Sequence, residues 1–277
     1  MHMIVSRFLR VFLLTGLAAV SFGSAITALA TEEGLLALQY DVTGKRLFKI
    51  EANQLFQRAD EGMTWNAIPL PEDVNEGQLR AVSVPSTDPQ ALYIAGPSIG
   101  VQRSTDNGET WQELSANLPS REVTALAVHR RQNETLYAVI EEDGIYQSED
   151  AGTTWKKMDS GPSQKINRLV HSDMEGSMQT GWLYGVSDDA VRLSMDCFCG
   201  WRPTGALDAG SVYDVAYSLG NPKRVYVVTQ QGLWRSETGG QEWQQVAGDG
   251  TELVALTLSA KDTLYGLNQK GELLHSE

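Results

Sequence analysis

Two stretches of the chain share one pattern, S-x-D-x-G-x-T-W: Ser104-Thr105-Asp106-Asn107-Gly108-Glu109-Thr110-Trp111 and Ser148-Glu149-Asp150-Ala151-Gly152-Thr153-Thr154-Trp155. Each residue type suits a tight turn between two antiparallel strands. The Asp carboxylate can accept backbone N–H groups inside the turn, and the Ser and Thr hydroxyls can add weaker bonds. Gly supplies a positive φ at little steric cost. Trp opens the next strand and lays a large apolar face over the sheet edge, with an indole N–H that needs a partner.

Three degenerate copies extend the pattern. Arg58 to Trp65 keeps Asp60, Gly62 and Trp65 and loses only the first Ser. Ser194 to Trp201 keeps Ser194, Asp196 and Trp201, whereas Ser236 to Trp243 keeps Ser236, Gly240 and Trp243 and carries Thr238 in place of Asp. Positions 60, 106, 150, 196 and 238 lie 46, 44, 46 and 42 residues apart, a period typical of propeller blades. The pattern resembles the Asp box of the BNR-repeat β-propellers, found in sialidases, sortilin-type receptors and photosystem II assembly factors. The resemblance spans nearly all of residues 31–277. In that family the boxes lie away from the catalytic or binding centre, so the resemblance implies a fold more strongly than a function. It implies buried tryptophans at equivalent places, with Asp60, Asp106 and Asp150 each bonded within its own turn.

Between the boxes every repeat shows the same elements. First strands are expected at Leu35–Gln39, Leu79–Val84, Val123–Val128, Ile166–His171, Val212–Tyr217 and Leu253–Leu258. Second strands carry a pair of residues, aliphatic then aromatic: Leu47-Phe48, Leu92-Tyr93, Leu136-Tyr137, Leu183-Tyr184, Val225-Tyr226 and Leu264-Tyr265. Third strands open with Gly and an apolar residue at Gly100-Val101, Gly144-Ile145 and Gly232-Leu233. Short strands, turn residues between them and no helical period read as all-β. The expected architecture is a propeller of about six four-stranded blades, with the boxes between third and fourth strands. Only five fourth strands can be assigned, because Ser276-Glu277 falls where a sixth box would begin. A three-stranded last blade, a closing strand borrowed from a partner, or a truncated reading frame would each account for this. An open edge would be a pairing hazard.

Residues 1–30 read as an export signal: Arg7 and Arg10, an apolar run from Val11 to about Phe22, and a small-x-small site at Ala28-Leu29-Ala30. An uncleaved membrane anchor is the rival reading, since Val11 to Ala30 is about the length of a span. Either way residues 31–277 are expected outside the cytoplasm, with membrane attachment only through that segment. Its removal would take two arginines and no acids, moving the net charge from −13 to −15. So acidic a chain argues against nucleic acid, whose backbone calls for clustered Lys and Arg.

Few residues invite chemistry. Cys197 and Cys199 allow a cramped C-x-C disulfide in an oxidising compartment. Two Cys and four His without ligand spacing offer no metal motif, and no cofactor is implied. The carboxylates Glu141-Glu142-Asp143 and Asp188-Asp189 could serve a glycosidase, but acidic turns look the same on any solvated β protein. The Phe-Arg-Ile-Pro motif of sialidases is absent. Aligned first strands place Ala81, Ala125, Arg168, Asp214 and Ala255 at one position. An ion pair between Arg168 and Asp214 is therefore expected at the channel, with Arg80 and Tyr213 near the same mouth as a candidate binding spot. The resemblance to the assembly-factor and other BNR-repeat members, which share compact repeats without a catalytic set, implies an exported non-catalytic scaffold that binds another protein or assists assembly of a complex. A carbohydrate-active or carbohydrate-binding propeller is the alternative.

Overall fold

The computed structural model describes residues 36–72, 74, 78–178, 181–198, 200–207, 209–246 and 252–276. The expected export segment and Cys199 lie outside the described residues. Blade 1 comprises β1 (Ala37–Asp41), β2 (Arg46–Glu51), β3 (Gln54–Ala59) and β4 (Asn66–Ile68). Blade 2 comprises β5 (Ala81–Ser83), β6 (Leu92–Gly96), β7 (Gly100–Ser104) and β8 (Gln112–Glu113). Blade 3 comprises β9 (Val123–Val128), β10 (Leu136–Ile140), β11 (Gly144–Ser148) and β12 (Lys156–Asp159). Blade 4 comprises β13 (Arg168–Ser172), β14 (Trp182–Val186), β15 (Val191–Met195) and β16 (Trp201–Pro203). Blade 5 comprises β17 (Val212–Tyr217), β18 (Val225–Thr229), β19 (Gly232–Ser236) and β20 (Gln244–Gln245). Blade 6 comprises β21 (Leu253–Leu258), β22 (Leu264–Asn268) and β23 (Leu273–His275).

Each sheet is an antiparallel meander, so the described residues form five four-stranded blades and one three-stranded blade. Consecutive inner strands lie side by side, and β1 packs beside β21, which closes the ring. The expected first strands of blades 1 and 4 start two residues early: the observed strands begin at Ala37 and Arg168. Blade 2 keeps only Ala81–Ser83 of its expected first strand.

The repeated pair on each second strand explains the core. Successive strand residues point to opposite faces, so the first packs on the preceding blade and the second on the following one. Leu92 joins the cluster between blades 1 and 2 and Tyr93 the one between blades 2 and 3. Leu136 and Tyr137 divide in the same way between the next two clusters, as do Leu183 and Tyr184. The core is thus six seams around a channel, with no single central cluster.

The boxes fasten these seams at the rim. Ser104, Ser148 and Ser236 accept the N–H of Gly108, Gly152 and Gly240 at 2.7, 2.8 and 2.9 Å. Those glycines sit at φ of 89°, 91° and 89°, where a side chain would be strained. Asp106 accepts the Thr110 N–H at 2.9 Å and its hydroxyl at 2.5 Å, and Asp150 does the same with Thr154 at 2.8 and 2.6 Å. The Thr110 hydroxyl, then its N–H and Ser104, hold the Asp106 carboxyl down at about 2.

The indoles then reach back one blade. Trp111 Nε1 donates to Pro69 O at 2.8 Å, Trp155 Nε1 to Leu114 O at 2.8 Å, and Trp201 Nε1 to Asp159 Oδ1 at 3.0 Å. Trp155 is buried, whereas Trp65, Trp111, Trp201 and Trp243 are half-buried. None of the five is exposed, as expected, and Trp155 is the most deeply covered. Asp60 departs from its expected place. Its carboxylate accepts the hydroxyls of Tyr40, at 2.9 Å, and Tyr265, and no bond from its own turn.

Candidate functional site

The inner strands line a narrow channel, and its charged centre is built by Arg168 of blade 4 and Asp214 of blade 5. Both stand near the start of a first strand, where the register places Arg168 opposite Val186 and Asp214 opposite Val228. Arg168 Nε donates to Asp214 Oδ1 at 3.0 Å. Val215 N donates to the same oxygen at 2.8 Å, and Leu256 N of blade 6 donates to Oδ2 at 3.0 Å. Arg168 Nη2 also reaches Leu38 O of blade 1 at 3.4 Å. One buried carboxylate and one guanidinium therefore tie together blades 4, 5, 6 and 1. Burial pushes the Asp214 carboxyl above its ordinary value, while Arg168 and the two amides pull it back.

Arg80 and Tyr213 do not join this group. Arg80 Nη2 donates to Gln78 Oε1 at 2.6 Å, on its own stretch of chain. Tyr213 stands at the register shift of β17 between Val212 and Asp214, and this bulge leaves it 38% exposed. Neither makes a hydrogen bond or ion pair with Arg168 or Asp214. The sequence gives no sign of the bulge.

Of the loop carboxylates named above, all but the exposed Glu142 are occupied. Glu141 pairs with Lys165, Asp143 accepts the Tyr146 hydroxyl at 2.6 Å and Lys157 at 3.0 Å, and Asp188 accepts Asn167 Nδ2 at 2.6 Å. Asp189 accepts the Ser187 hydroxyl at 3.0 Å. The Tyr146 and Lys157 contacts lower the Asp143 carboxyl.

A buried cluster that sequence reasoning missed lies at the seam of blades 3 and 4. His129 and His171 face each other with ring centroids 3.8 Å apart, and each Nε2 lies 3.8 Å from Asp196 Oδ2. Tyr137 stacks on His171 at 5.7 Å. The two His and the Asp are the group of described residues that could hold a metal ion. Their tautomers argue against that use. His129 Nδ1 accepts the N–H groups of Arg131 and Gln132, both at 3.0 Å, and His171 Nδ1 accepts that of Arg130 at 3.1 Å. A neutral ring with Nδ1 accepting carries its proton on Nε2, the atom a metal would need. The cluster therefore presents two N–H groups toward one carboxylate. Burial lowers His129 to about 4 and lowers His171 as well. The available signal was a histidine at or just past the end of the first strand in two successive repeats, together with a box whose Asp lacks a following Gly and Thr. Cys197, in the same box, is disulfide-bonded.

Comparison with known proteins agrees with this architecture. A sequence profile of the Sortilin-Vps10 family (sortilin, neurotensin receptor 3) matches residues 99–199. No curated protein matches the chain in sequence. Among solved structures, YCF48 bound to D1 peptide shares 19% identity over 89% of this chain and 94% of its own, with a TM-score of 0.60. The GH74 enzyme of Niastella koreensis shares 15% identity over 87% of this chain and 44% of its own, with a TM-score of 0.61. The GH74 xyloglucanase of Xanthomonas campestris shares 18% over 86% and 44%, with a TM-score of 0.59. This chain spans less than half the length of either GH74 enzyme. At such identities the likeness is one of fold, that of Asp-box β-propellers.

Proposed function

We propose that this Asp-box β-propeller is an exported, non-catalytic module that binds another protein or assists assembly of a complex. The observation that carries this reading is the occupation of the channel carboxylate and of every candidate loop carboxylate but the exposed Glu142. Hydrolysis by two carboxylates needs one group free to give a proton and another free to attack or to activate water across a cleft. Asp214 spends both oxygens on Arg168, Val215 and Leu256. Glu141, Asp143 and Asp188 are each held by a neighbouring side chain. Size adds support, since YCF48 bound to D1 peptide is matched over nearly its whole length. Fold alone hosts many activities, so the carboxylates weigh more than the likeness. The test is cross-linking of the mature chain in its native exported fraction, then reconstitution with each purified candidate. A stoichiometric complex supports the reading, and recovery of no reproducible partner overturns it.

The likeness to GH74 enzymes favours a second reading, a carbohydrate-active or carbohydrate-binding propeller. Incubation with xyloglucan and other β-glucans is expected to release no reducing sugar. Turnover abolished by Glu141→Gln or Asp188→Asn would put this second reading first.

A further inference from the structure

By the register of the first strands with their partners, Val42, Ser86, Arg130, Asp173, Leu219 and Ala260 are equivalent, at the turn where each blade's first strand passes to its second. Two neighbouring blades carry opposite charges there, as they do at Arg168 and Asp214. These two make no ion pair with each other. Asp173 Oδ2 accepts Arg131 Nη2 at 3.0 Å, whereas Asp173 Oδ1 is buried without a hydrogen-bond partner. The Arg130 backbone is bonded, its N–H to His171 and its O to Ser86. Its half-buried guanidinium has no hydrogen bond and no carboxylate among the described residues.

A third group is left over beside them. Tyr217, 7% exposed in the seam of blades 4 and 5, has a hydroxyl that finds no acceptor for its proton among the described residues. Burial raises that hydroxyl's pKa, Arg130 lowers it and Asp173 raises it, so both charges lie within reach of it. Arg130 and Tyr217 line one cavity of about 100 Å³ in the channel, with Val42, Val170 and Leu219 among its walls and Arg168 also on it. Buried polar atoms of native proteins nearly always have partners. Here a cation, a buried donor and a buried acceptor are left without them at one mouth of the channel.

We infer that this cavity binds a small free α-amino acid, its carboxylate held by the Arg130 guanidinium and the Tyr217 hydroxyl and its ammonium by Asp173 Oδ1. Guanidinium and hydroxyl donors suit a carboxylate. A plain carboxylate fits less well, because it brings a second negative charge beside Asp173 and no donor for Oδ1. A plain amine would answer Asp173 and leave Arg130 without an anion. One water between Tyr217 and Asp173 would satisfy both atoms yet bring Arg130 no negative charge. A peptide lacks the combination, since its terminal ammonium and carboxylate stand on different residues. The small volume and the valine and leucine walls select glycine or alanine over an amino acid with an aromatic side chain. The site is independent of the protein-binding reading.

The test is calorimetric titration of the chain, purified from its native exported fraction, with glycine, L-alanine, propionate, ethylamine and L-tryptophan. Saturable binding is expected for glycine and L-alanine and for none of the other three. Arg130→Gln should weaken L-alanine about tenfold or more, and Tyr217→Phe, which deletes only the hydroxyl, roughly fivefold. Asp173→Asn keeps an acceptor and removes the charge. It should weaken L-alanine about tenfold and let propionate bind, a reversal that a merely structural role would not produce. Thermal melts verify that the variants fold, and Arg130→Gln, at an exposed turn, decides the matter if Tyr217→Phe does not. Absence of saturable L-alanine binding, equal binding by Arg130→Gln, or propionate binding to wild type as tightly as L-alanine overturns the inference. A native protein partner recovered from a chain that binds no amino acid would overturn this site and leave the protein-binding reading standing. L-Alanine binding with no native partner recovered would do the reverse.

Discussion

The seam between blades 2 and 3 and the seam between blades 6 and 1 come from the same repeat but are fastened at different radii. At the first, the rim carries the load: Trp155 is buried, its indole holds Leu114 O, and Leu114 fills the place beside Gly152. At the second, the work moves inward. The rings of Tyr40 and Tyr265 stack at 6.0 Å and 8°, and both hydroxyls converge on Asp60. Tyr40 N donates to Thr257 Oγ1 at 3.1 Å, which ties β1 to β21. Burial and the Asp60 carboxylate push the Tyr265 hydroxyl up to about 12. Among the described residues the ring closes at this seam through polar side chains that bridge it nearer the axis.

The largest expected effect tests that contrast directly. Trp155→Ala should cost about 3–5 kcal/mol, as large-to-small core changes do, with the lost indole bond included. Trp65→Ala should cost about 1–2 kcal/mol, because the ring is only half-buried and its N–H meets no acceptor. Denaturant unfolding of both variants measures the gap. Equal losses would break the comparison and show that the outer rim of the 6–1 seam bears as much load as its neighbours.

Next comes the channel pair, which joins both kinds of seam from within. Arg168→Ala should cost about 3 kcal/mol, because Asp214 is left buried without its cation. Adding Asp214→Ala should recover much of that loss. A double variant no better than the single one would mean that the Val215 and Leu256 amides, and not the ion pair, set the energetics. If the double variant folds well yet loses its partner, the channel is a recognition site.

The fold was legible because the repeat writes the same physics five or six times. The aliphatic–aromatic pairs, the box Ser–Gly contact and the spacing near 44 each reinforce the others, so one degenerate copy does little harm. The site was legible only where one position broke the repeat, as Arg168 and Asp214 do among alanines. The rest depended on geometry that no single position carries. The bulge that turns Tyr213 outward, the tyrosines that draw Asp60 from its turn, and the meeting of His129, His171 and Asp196 all arise between blades. Residues 42 apart, such as His129 and His171, become neighbours only once the ring exists.

Acid should open a rim-fastened seam before the rest of the molecule responds. Burial, then His171, holds His129 at about 4, against about 6.5 for a histidine in an unfolded chain. Arg131 pushes the same way, whereas Asp196 and Asp173 oppose it. Because the folded value is the lower one, unfolding takes up protons. The stability this gives is complete above pH 6.5 and is lost as the pH falls toward 4, by roughly 2–3 kcal/mol. The lowered carboxyls of Asp106 and Asp150 act below that window. Unfolding followed from pH 7 to 4.5 should show the decline, and His129→Gln should flatten it. A flat wild-type profile would mean that the 3–4 seam relaxes to hydrate its histidines.

The smallest effect probes the inner fastening of the 6–1 seam. Tyr265→Phe removes one hydroxyl from Asp60 and leaves the ring stack and its apolar packing in place. Asp60 keeps the Tyr40 hydroxyl at 2.9 Å, so the carboxylate is not stranded. A hydrogen bond to a charged group contributes about 1.5–3 kcal/mol when buried. Partial exposure at this seam brings the expected loss to about 1 kcal/mol. Thr110→Val makes the parallel change in an ordinary box, removing the 2.5 Å hydroxyl contact to Asp106 at an exposed turn. That substitution should shift the melting temperature less than Tyr265→Phe does. If Thr110→Val proves the more damaging, the tyrosine bridge is a passenger, and closure rests on the stacked rings and the Tyr40–Thr257 bond alone.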